Sequence, residues 1–271
     1  MVLELICFLF GVGAALAGCL TFWHINYWWD IYRPLVLYMG GWLVGLGFIF
    51  VFLGFCGWFV KKGEHDKVSK WARFWFLSGI RFIANHAHIF VDFTGRNKIP
   101  TREKFLIVCN HRSNFDNFII SNEIGKLDIA FITKDSNAKI PLAKGLMPGL
   151  CYIPIDRDDK INSLEGFKRA SSLIENKVTS IGVFPEGTRH QEDHVQDFHE
   201  GVFNIAIHAH APIVVSVMKN TDKIHKNWPL KPTRVRYHII ETIPYEEYSG
   251  MTAKALSDKV HKMIEDNYQR L

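Results

Sequence analysis

The first 60 residues carry only three formal charges, Glu4, Asp30 and Arg33, although the chain of 271 residues has a net charge of +5. Two uncharged and mostly apolar segments, residues 5–22 and 35–60, fill most of this part. Each is long enough to cross about 30 Å of hydrocarbon as a helix. The sequence therefore predicts a pair of transmembrane helices, and we assign residues 1–62 to a two-helix membrane anchor.

The residues that flank the two segments predict how the anchor is oriented. The link at residues 23–34 is rich in Trp and Tyr, which are typical of the membrane–water interface. A cluster of basic residues follows the second segment: Lys61, Lys62, Lys67, Lys70 and Arg73. Because such positive charge is retained on the cytoplasmic side, we expect an integral membrane protein whose active domain lies on the cytoplasmic face of the bilayer.

Two alternatives for the apolar segments remain open. Residues 16–19, Leu-Ala-Gly-Cys, resemble a bacterial lipoprotein cleavage site, which makes the first segment a removed signal. Against this, the charge near the amino terminus is Glu4, whereas a signal peptide prefers basic residues there. Both segments can instead be buried helices of a soluble protein, but neither shows the polar stripe of a surface helix.

Residues 63–88 have a different pattern from the anchor. Basic side chains alternate with large aromatic ones at helical spacing: Lys70, Trp71, Arg73, Phe74, Trp75, Phe76, Arg81 and Phe82. This pattern predicts an amphipathic helix that lies in the plane of the lipid headgroups. Packing of the same helix against the following domain is an alternative that does not exclude the first.

Residues 89–271 are predicted to form an α/β domain. Short apolar runs rich in Val, Ile and Phe predict strands at residues 89–93, 105–109, 129–133, 151–155, 180–184, 213–218 and 234–241. Helical patterns lie between or after them, at residues 117–124, 141–146, 162–176 with Ser163 as the cap, 202–210 and 252–270. The alternation indicates a largely parallel sheet of about seven strands flanked by helices. Ligands of such sheets bind at the carboxyl ends of the strands.

Composition excludes several other classes of site. The cysteines are odd in number, scattered and without a CxxC pair, so neither a disulfide framework nor a zinc site is indicated. His190, His194 and His199 have a metal-ligand side chain but lack a recognised ligand spacing, and we predict no metal site. The basic surplus is modest and no nucleic-acid module is present, so no nucleic-acid partner is expected.

A histidine and an aspartate, His111 and Asp116, follow the second predicted strand with four residues between them. A histidine takes up a proton near neutral pH, and a carboxylate on its other nitrogen fixes the tautomer. No Gly-x-Ser-x-Gly nucleophile is evident, so the proton is expected to come from a substrate hydroxyl. Alternatively, Ser113 and Asp116 are the cap and first-turn acid of a helix.

A second motif, Phe-Pro-Glu-Gly-Thr-Arg at residues 184–189, follows another predicted strand. Together the two motifs resemble those of the 1-acyl-sn-glycerol-3-phosphate acyltransferase family, the PlsC-like glycerolipid acyltransferases. The family's first block, Asn-His-x-Ser-x-x-Asp, matches residues 110–116, and its third block matches residues 184–189 in full. The second and fourth blocks are only partly kept, at residues 152–157 and 211–217, which leaves the acceptor open.

The resemblance implies a reaction and a set of site residues. His111, oriented by Asp116, removes the proton from a glycerol hydroxyl as that oxygen attacks an acyl thioester. The residues implied in substrate binding are Lys134, Arg157, Glu186, Gly187, Thr188 and Arg189. Glu186 is expected to bond the glycerol part or hold an arginine, and a main-chain N–H near Ser113 or Gly187 is expected to stabilise the oxyanion.

Other roles for these side chains remain open. Arg157 can pair with a neighbouring aspartate, Lys134 can be a solvated surface charge, and Glu186 with Arg189 can be a structural ion pair. The resemblance implies a membrane-bound enzyme that acylates lysophosphatidate to phosphatidate with acyl-CoA or acyl carrier protein as donor and without a further cofactor. The alternatives are an acceptor such as glycerol 3-phosphate or another lysolipid, a lipid or thioester hydrolase, and a non-enzymatic lipid-binding protein.

Overall fold

The computed structural model describes residues 2–22, 32–58, 60, 66–125, 127–138, 145–156, 159–189 and 192–271. The helices are α1 (Val2–Phe22), α2 (Tyr32–Trp58), α3 (Lys70–His86), α4 (Asp116–Glu123), α5 (Asp135–Ala138), α6 (Lys160–Glu175), α7 (Asn204–Ala209), α8 (Ile224–Asn227) and α9 (Ala253–Arg270). The strands are β1 (Ile89–Thr94), β2 (Leu106–Val108), β3 (Ile129–Lys134), β4 (Ile153–Ile155), β5 (Ser180–Val183), β6 (Ile213–Lys219) and β7 (Thr233–Ile243).

The strands form one seven-stranded sheet in the order β1-β7-β6-β2-β5-β3-β4. The five neighbouring strands β6, β2, β5, β3 and β4 are parallel to one another. Strand β7 runs antiparallel to β6, and β1 runs parallel to β7. All residues of β2 and β5 are buried, so the centre of the sheet is covered on both faces. We call the edge where the five parallel strands end the carboxyl edge and the opposite one the amino edge; β1 and β7 begin at the carboxyl edge.

The predicted α/β fold is confirmed, with local corrections. All seven predicted strands are present with shifted ends. Helix α6 is capped by Asp159, whose carboxylate accepts from the main-chain N–H groups of Ile161 and Asn162, and not by the predicted Ser163. Ser163 lies within the helix and donates to the carbonyl of Asp156. Most of the helix predicted at residues 141–146 lies outside the described residues.

Helices α1 and α2 form an antiparallel hairpin. Both are long and apolar enough to cross a membrane by length and composition, as predicted. Only 22% of the apolar window of α1 and 11% of that of α2 is buried within the structure. Because a core helix buries most of its surface, the alternative of two core helices in a soluble domain is not supported.

One half of the hairpin packs on α3 and the other half extends away from it. Phe52 of α2 packs on Trp75, and Trp42 packs on His86 at the end of α3, so α2 and α3 run in opposite directions. Towards Phe22 and Tyr32 the two helices of the hairpin contact each other, with Leu37 against Gly18 and Tyr38 against Phe8. Since α3 ends where β1 begins, this half extends beyond the carboxyl edge.

Helix α3 has the predicted amphipathic character and also packs on the domain. The Ser69 hydroxyl accepts from the Ala72 N–H at its start. Arg73 forms a 2.6 Å ion pair with Asp128, while Trp71 and Phe74 remain exposed. Packing on the following domain, which the sequence left open, is therefore present. The exposed Trp71 and Phe74 side chains are available for lipid, and the contact of this helix with lipid headgroups stays a prediction.

The packing of α1 on α2 predicts that substitution of Gly41 and of its neighbour Gly40 has different effects. A Cβ atom on Gly41 lies 2.5 Å from the Phe10 carbonyl oxygen and 2.6 Å from the Ala14 Cβ, whereas a Cβ on Gly40 meets nothing within 4 Å in the described part of the chain. Gly41→Ala therefore forces α1 and α2 apart, at a cost of about 1–3 kcal/mol. We expect faster alkylation of Cys7, which is buried between the helices, measured by mass spectrometry in detergent micelles. Gly40→Ala is the control, and equal rates in the two variants contradict this packing.

Candidate active site

The two residues predicted as catalytic meet at the carboxyl edge. The Nδ1 atom of His111, in the turn after β2, lies 2.8 Å from Oδ2 of Asp116, the first residue of α4. The Asp116 side chain is fully buried, whereas that of His111 is 16% exposed. Because a carboxylate only accepts hydrogen bonds, Nδ1 carries the proton and Nε2 is left to accept one.

Main-chain groups hold the carboxylate of Asp116 in place. Its Oδ2 atom also accepts hydrogen bonds from the N–H groups of Arg112 at 2.7 Å and Ser113 at 2.8 Å. A buried carboxylate requires such donors. Asp116 is therefore both the partner of the histidine and the first-turn acid of α4. The alternative cap at Ser113 is not formed, because the residue at the cap position is Phe115 and the Ser113 hydroxyl accepts from its N–H.

Glu186 supports the main chain of the histidine. Its Oε1 atom accepts from the His111 N–H at 2.7 Å, and its Oε2 atom accepts from the Gln196 N–H at 3.3 Å. The residue is only 3% exposed, and burial raises the pKa of its carboxyl group to about 7. The contacts seen for Glu186 are thus to the main chain, and the expected contact with the glycerol part or an arginine stays a prediction.

Two further residues that the sequence left unassigned complete the support of His111. The Phe184 ring stacks on the imidazole with centroids 4.3 Å apart. The Asn110 side chain replaces a strand pairing, because its amide donates to the Met218 carbonyl at 2.9 Å and its Oδ1 accepts from the Met218 N–H at 2.8 Å. Both residues belong to the two motifs. Asn110 directly precedes His111 and Phe184 lies two residues before Glu186, and this proximity in sequence could have indicated a role in the site.

Gly187, Thr188 and Arg189 form a turn at the mouth of the site. Gly187 has a φ of +69°, and a Cβ there lies 2.8 Å from the His199 ring, so a larger residue meets both strain and a clash. Thr188 and Arg189 are exposed. The Arg189 guanidinium donates to Oδ1 of Asn114, in the turn between His111 and Asp116. The two motifs are thus adjacent in space.

Of the other two predicted substrate-binding residues, Lys134 and Arg157, only Lys134 lies within the described part of the chain. Lys134 is exposed at the end of β3, on the same edge as His111. Arg157 lies outside the described residues. Two main-chain donors in this region have partners of their own, because the Ser113 N–H donates to Asp116 and the Gly187 N–H donates to the Phe184 carbonyl at 3.0 Å. An oxyanion donor near these residues stays a prediction.

Helix α9 holds the segment that covers Glu186. The Tyr268 hydroxyl donates to Oδ1 of Asp193 at 2.7 Å, and His261 Nε2 lies 3.1 Å from the carbonyl oxygen of Gln196. The Gln196 N–H in turn donates to Glu186. Arg112, which the sequence also left unassigned, lies with its guanidinium 5.7 Å from the centre of the Tyr268 ring. The carboxyl-terminal helix is therefore coupled to the turn that carries His111.

An apolar cavity of about 230 Å³ adjoins the Gly187 turn. It is lined by side chains from β3, β4, α6 and the end of β5, among them Ile132, Ile155, Phe167 and Phe184. A cavity of this kind offers apolar surface beside the polar groups of the site. Among the described residues no group of three or more His, Cys, Asp or Glu side chains is placed to hold a metal ion. His194 contacts Gln196 and Glu192 instead.

The sheet and the buried histidine–carboxylate pair at its carboxyl edge define the class as an α/β protein with a candidate acid–base site. The family model described as Acyltransferase matches residues 90–219, from β1 to the end of β6. The resemblance drawn from the motifs is confirmed over this segment, which is similar to the members of that family.

Individual proteins are also similar to this chain. A 1-acyl-sn-glycerol-3-phosphate acyltransferase of Limnanthes douglasii is 29% identical over 174 residues, which is 63% of this chain and 59% of that protein. A protein of Mycoplasma genitalium named as a probable enzyme of the same kind is 28% identical over 180 residues, 65% and 62% of the two chains. The chain thus spans about 60% of the length of these relatives.

A solved structure shares the fold. The crystal structure of the 1-acyl-sn-glycerophosphate (LPA) acyltransferase PlsC from Thermotoga maritima superposes with a TM-score of 0.62 at 23% identity. The match covers 82% of this chain and 88% of that one. The similarity in fold therefore extends beyond residues 90–219, which the family model matches.

The buried Glu186 predicts a pH dependence of stability. Its pKa in the folded protein is raised from 4.5 to about 7, so its contribution to stability is fully present below about pH 4.5 and is lost as the pH rises through about 7. Glu186→Gln cannot titrate, and this part of the pH slope should vanish. Thermal midpoints in detergent across this range measure the effect, with Glu103→Gln at the exposed amino edge as control. Identical slopes in wild type and Glu186→Gln contradict a buried titrating carboxyl group.

Proposed function

We propose that this protein is a membrane-bound acyltransferase that transfers a fatty acyl group from an acyl thioester to the free hydroxyl of lysophosphatidate, giving phosphatidate. The observation that carries the proposal is the 2.8 Å contact between His111 and the buried Asp116 at the carboxyl edge. The names of the relatives support the choice of acceptor and product.

The chemistry follows from the orientation of the imidazole. Nε2 of His111 accepts the proton of the glycerol hydroxyl as that oxygen forms a bond to the thioester carbonyl carbon. The tetrahedral adduct then expels the thiolate. The thiolate accepts the proton from Nε2, so that the ester and the free thiol are the products. The Asp116 carboxylate, bound to Nδ1, stabilises the imidazolium between the two steps.

The phosphate of the acceptor is assigned to the exposed cations of the site. Arg189 offers a planar pair of donors suited to phosphate, and its contact with Asn114 keeps it beside the His111 turn. Thr188 adds a hydroxyl donor next to it. Lys134 at the end of β3 is the second cation, and the family's second block adds Arg157. The apolar cavity beside Gly187 suits an acyl chain of a substrate.

Membrane attachment is assigned to the α1–α2 hairpin. Both the beginning of α1 and the end of α2 lie beside α3: Glu4 accepts from the Asn85 amide, and a Cβ on Gly149 in the turn before β4 contacts both Val60 and Ala72. The amino terminus and the α/β domain therefore share one side of the bilayer. The lysines that follow α2 make this the cytoplasmic side. The acyl donor is acyl-CoA or acyl carrier protein, and the reaction needs no further cofactor.

Replacement of the proposed base tests the mechanism. We expect His111→Ala to fold and remain in the membrane, while kcat for acyl transfer from acyl-CoA to lysophosphatidate falls by about 10²–10⁴ because the general base is lost. Products are separated by mass spectrometry. His208→Ala, at an exposed position on α7, is the control and retains activity. Undiminished turnover in His111→Ala rules out this mechanism, and acceptor-independent release of fatty acid by the wild type identifies a hydrolase.

Replacement of Arg189 tests the acceptor site. Loss of a charge-assisted contact to phosphate weakens binding by about tenfold or more, so Arg189→Ala should raise the KM for lysophosphatidate and leave kcat within a few-fold. Steady-state kinetics at saturating acyl donor measure the two constants. Arg102→Ala, at the amino edge, is the control. An unchanged KM removes Arg189 from phosphate binding.

A further inference from the structure

A loop beside the active site exposes two large apolar side chains. We call residues 225–231, which follow β6 and precede β7, the Trp228 loop. Trp228 is 57% exposed and Leu230 is 90% exposed. Single exposed apolar residues are common on protein surfaces, but here a Trp and a Leu project together from one loop tip.

The loop tip is held by hydrogen bonds at its base. The Trp228 N–H donates to the carbonyl of the buried Ile224 at 3.0 Å, and the Lys231 N–H donates to the Asn227 carbonyl at 2.8 Å. The Asn227 amide donates to the Thr233 hydroxyl at 2.9 Å. The exposure of Trp228 and Leu230 therefore belongs to a folded loop.

The Trp228 loop lies at the carboxyl edge, next to the proposed active site. It leaves the end of β6, and the His225 ring lies 5.2 Å from the ring of Phe115, which directly precedes Asp116. The free half of the α1–α2 hairpin extends beyond the same edge. A bilayer crossed by the hairpin is thus on the side of the domain to which the loop projects.

The charge around the loop is positive. The exposed cations of the loop and its base are Lys223, Lys226, Lys231, Arg234 and Arg236. Two carboxylates on this side of the domain form ion pairs, Asp222 with Arg112 at 3.7 Å and Asp92 with Arg234 at 3.7 Å. Trp is typical of the headgroup region, and lysines near a bilayer are attracted to anionic lipids.

We propose that the Trp228 loop docks on the bilayer surface, with Trp228 and Leu230 inserted among the headgroups and Lys226 and Lys231 against anionic phospholipid. The inference rests on the proposed membrane attachment of the hairpin. It gives the domain a second contact with the same leaflet, so that the domain is held with its carboxyl edge facing the lipid. A lysolipid then reaches His111 by lateral movement in the leaflet.

The depth of a label on the loop tests the proposal. The full chain with Cys19→Ser and Leu230→Cys carries a nitroxide at residue 230; the other native cysteines are buried. It is placed, one chain per particle, in nanodiscs of phosphatidylcholine mixed with phosphatidylglycerol. We expect the label to collide more often with lipid-soluble oxygen than with a water-soluble nickel complex. A label at Glu103→Cys, on the amino edge, should show the opposite ratio.

Charge reversal supplies the second measurement. Lys226→Glu/Lys231→Glu should shift the label at residue 230 towards the aqueous reagent, because each lysine contributes about fivefold to binding at an anionic surface. Arg102→Glu/Lys104→Glu changes the net charge equally at the amino edge and should leave the label unchanged. An equal shift in both double variants overturns the assigned role of the lysines.

The outcomes separate this proposal from the proposed reaction. A label at residue 230 that is as accessible to nickel as the label at residue 103 overturns docking, even if acyl transfer to lysophosphatidate is intact; the surface then serves a protein partner or a second copy. A buried label in a chain without acyl transfer supports docking and overturns only the proposed function. One chain per nanodisc ensures that protection comes from lipid.

Discussion

One carboxylate oxygen, Oδ2 of Asp116, accepts hydrogen bonds from the imidazole of His111 and from the main-chain amides of Arg112 and Ser113. These contacts tie the ring to the turn that carries it and hold a buried carboxylate against its Nδ1 atom. Glu186 holds the same turn from the other motif through the His111 N–H. The two motifs act as one unit because the parallel strands β2 and β5 are adjacent and end at the same edge.

Support for this unit extends to the carboxyl terminus. Helix α9 forms hydrogen bonds with Asp193 and Gln196, and the Gln196 N–H donates to Glu186. The same carboxyl edge carries the exposed Arg189 and the Trp228 loop, and the hairpin projects beyond it. Under the proposed function this arrangement brings a lipid acceptor to an imidazole without its removal from the bilayer. The hairpin and the α/β domain thus meet at the same edge of the sheet.

Much of the fold could be predicted from local patterns. Charge-free length predicted α1 and α2, and the alternation of short apolar runs with helical ones predicted a largely parallel sheet, because burial on both faces requires continuous apolar strands. The antiparallel β7 and the parallel β1 beside it could not be foreseen, since strand direction depends on pairing between distant residues. The cap of α6 moved from Ser163 to Asp159 because both residue types are good caps and only the path of the chain after β4 selects one.

The sequence by itself determined the resemblance to the acyltransferase family, the two apolar helices and the identity of the His111–Asp116 pair, because these depend on residue type and on local spacing. Only the tertiary structure decided what Glu186 and Gly187 do: the carboxylate holds the His111 main chain, and the glycine accommodates the ring of His199. It also showed that the Ser113 N–H donates to Asp116. The physical reason is that hydrogen-bond donors and acceptors are shared among segments that only the folded sheet brings together.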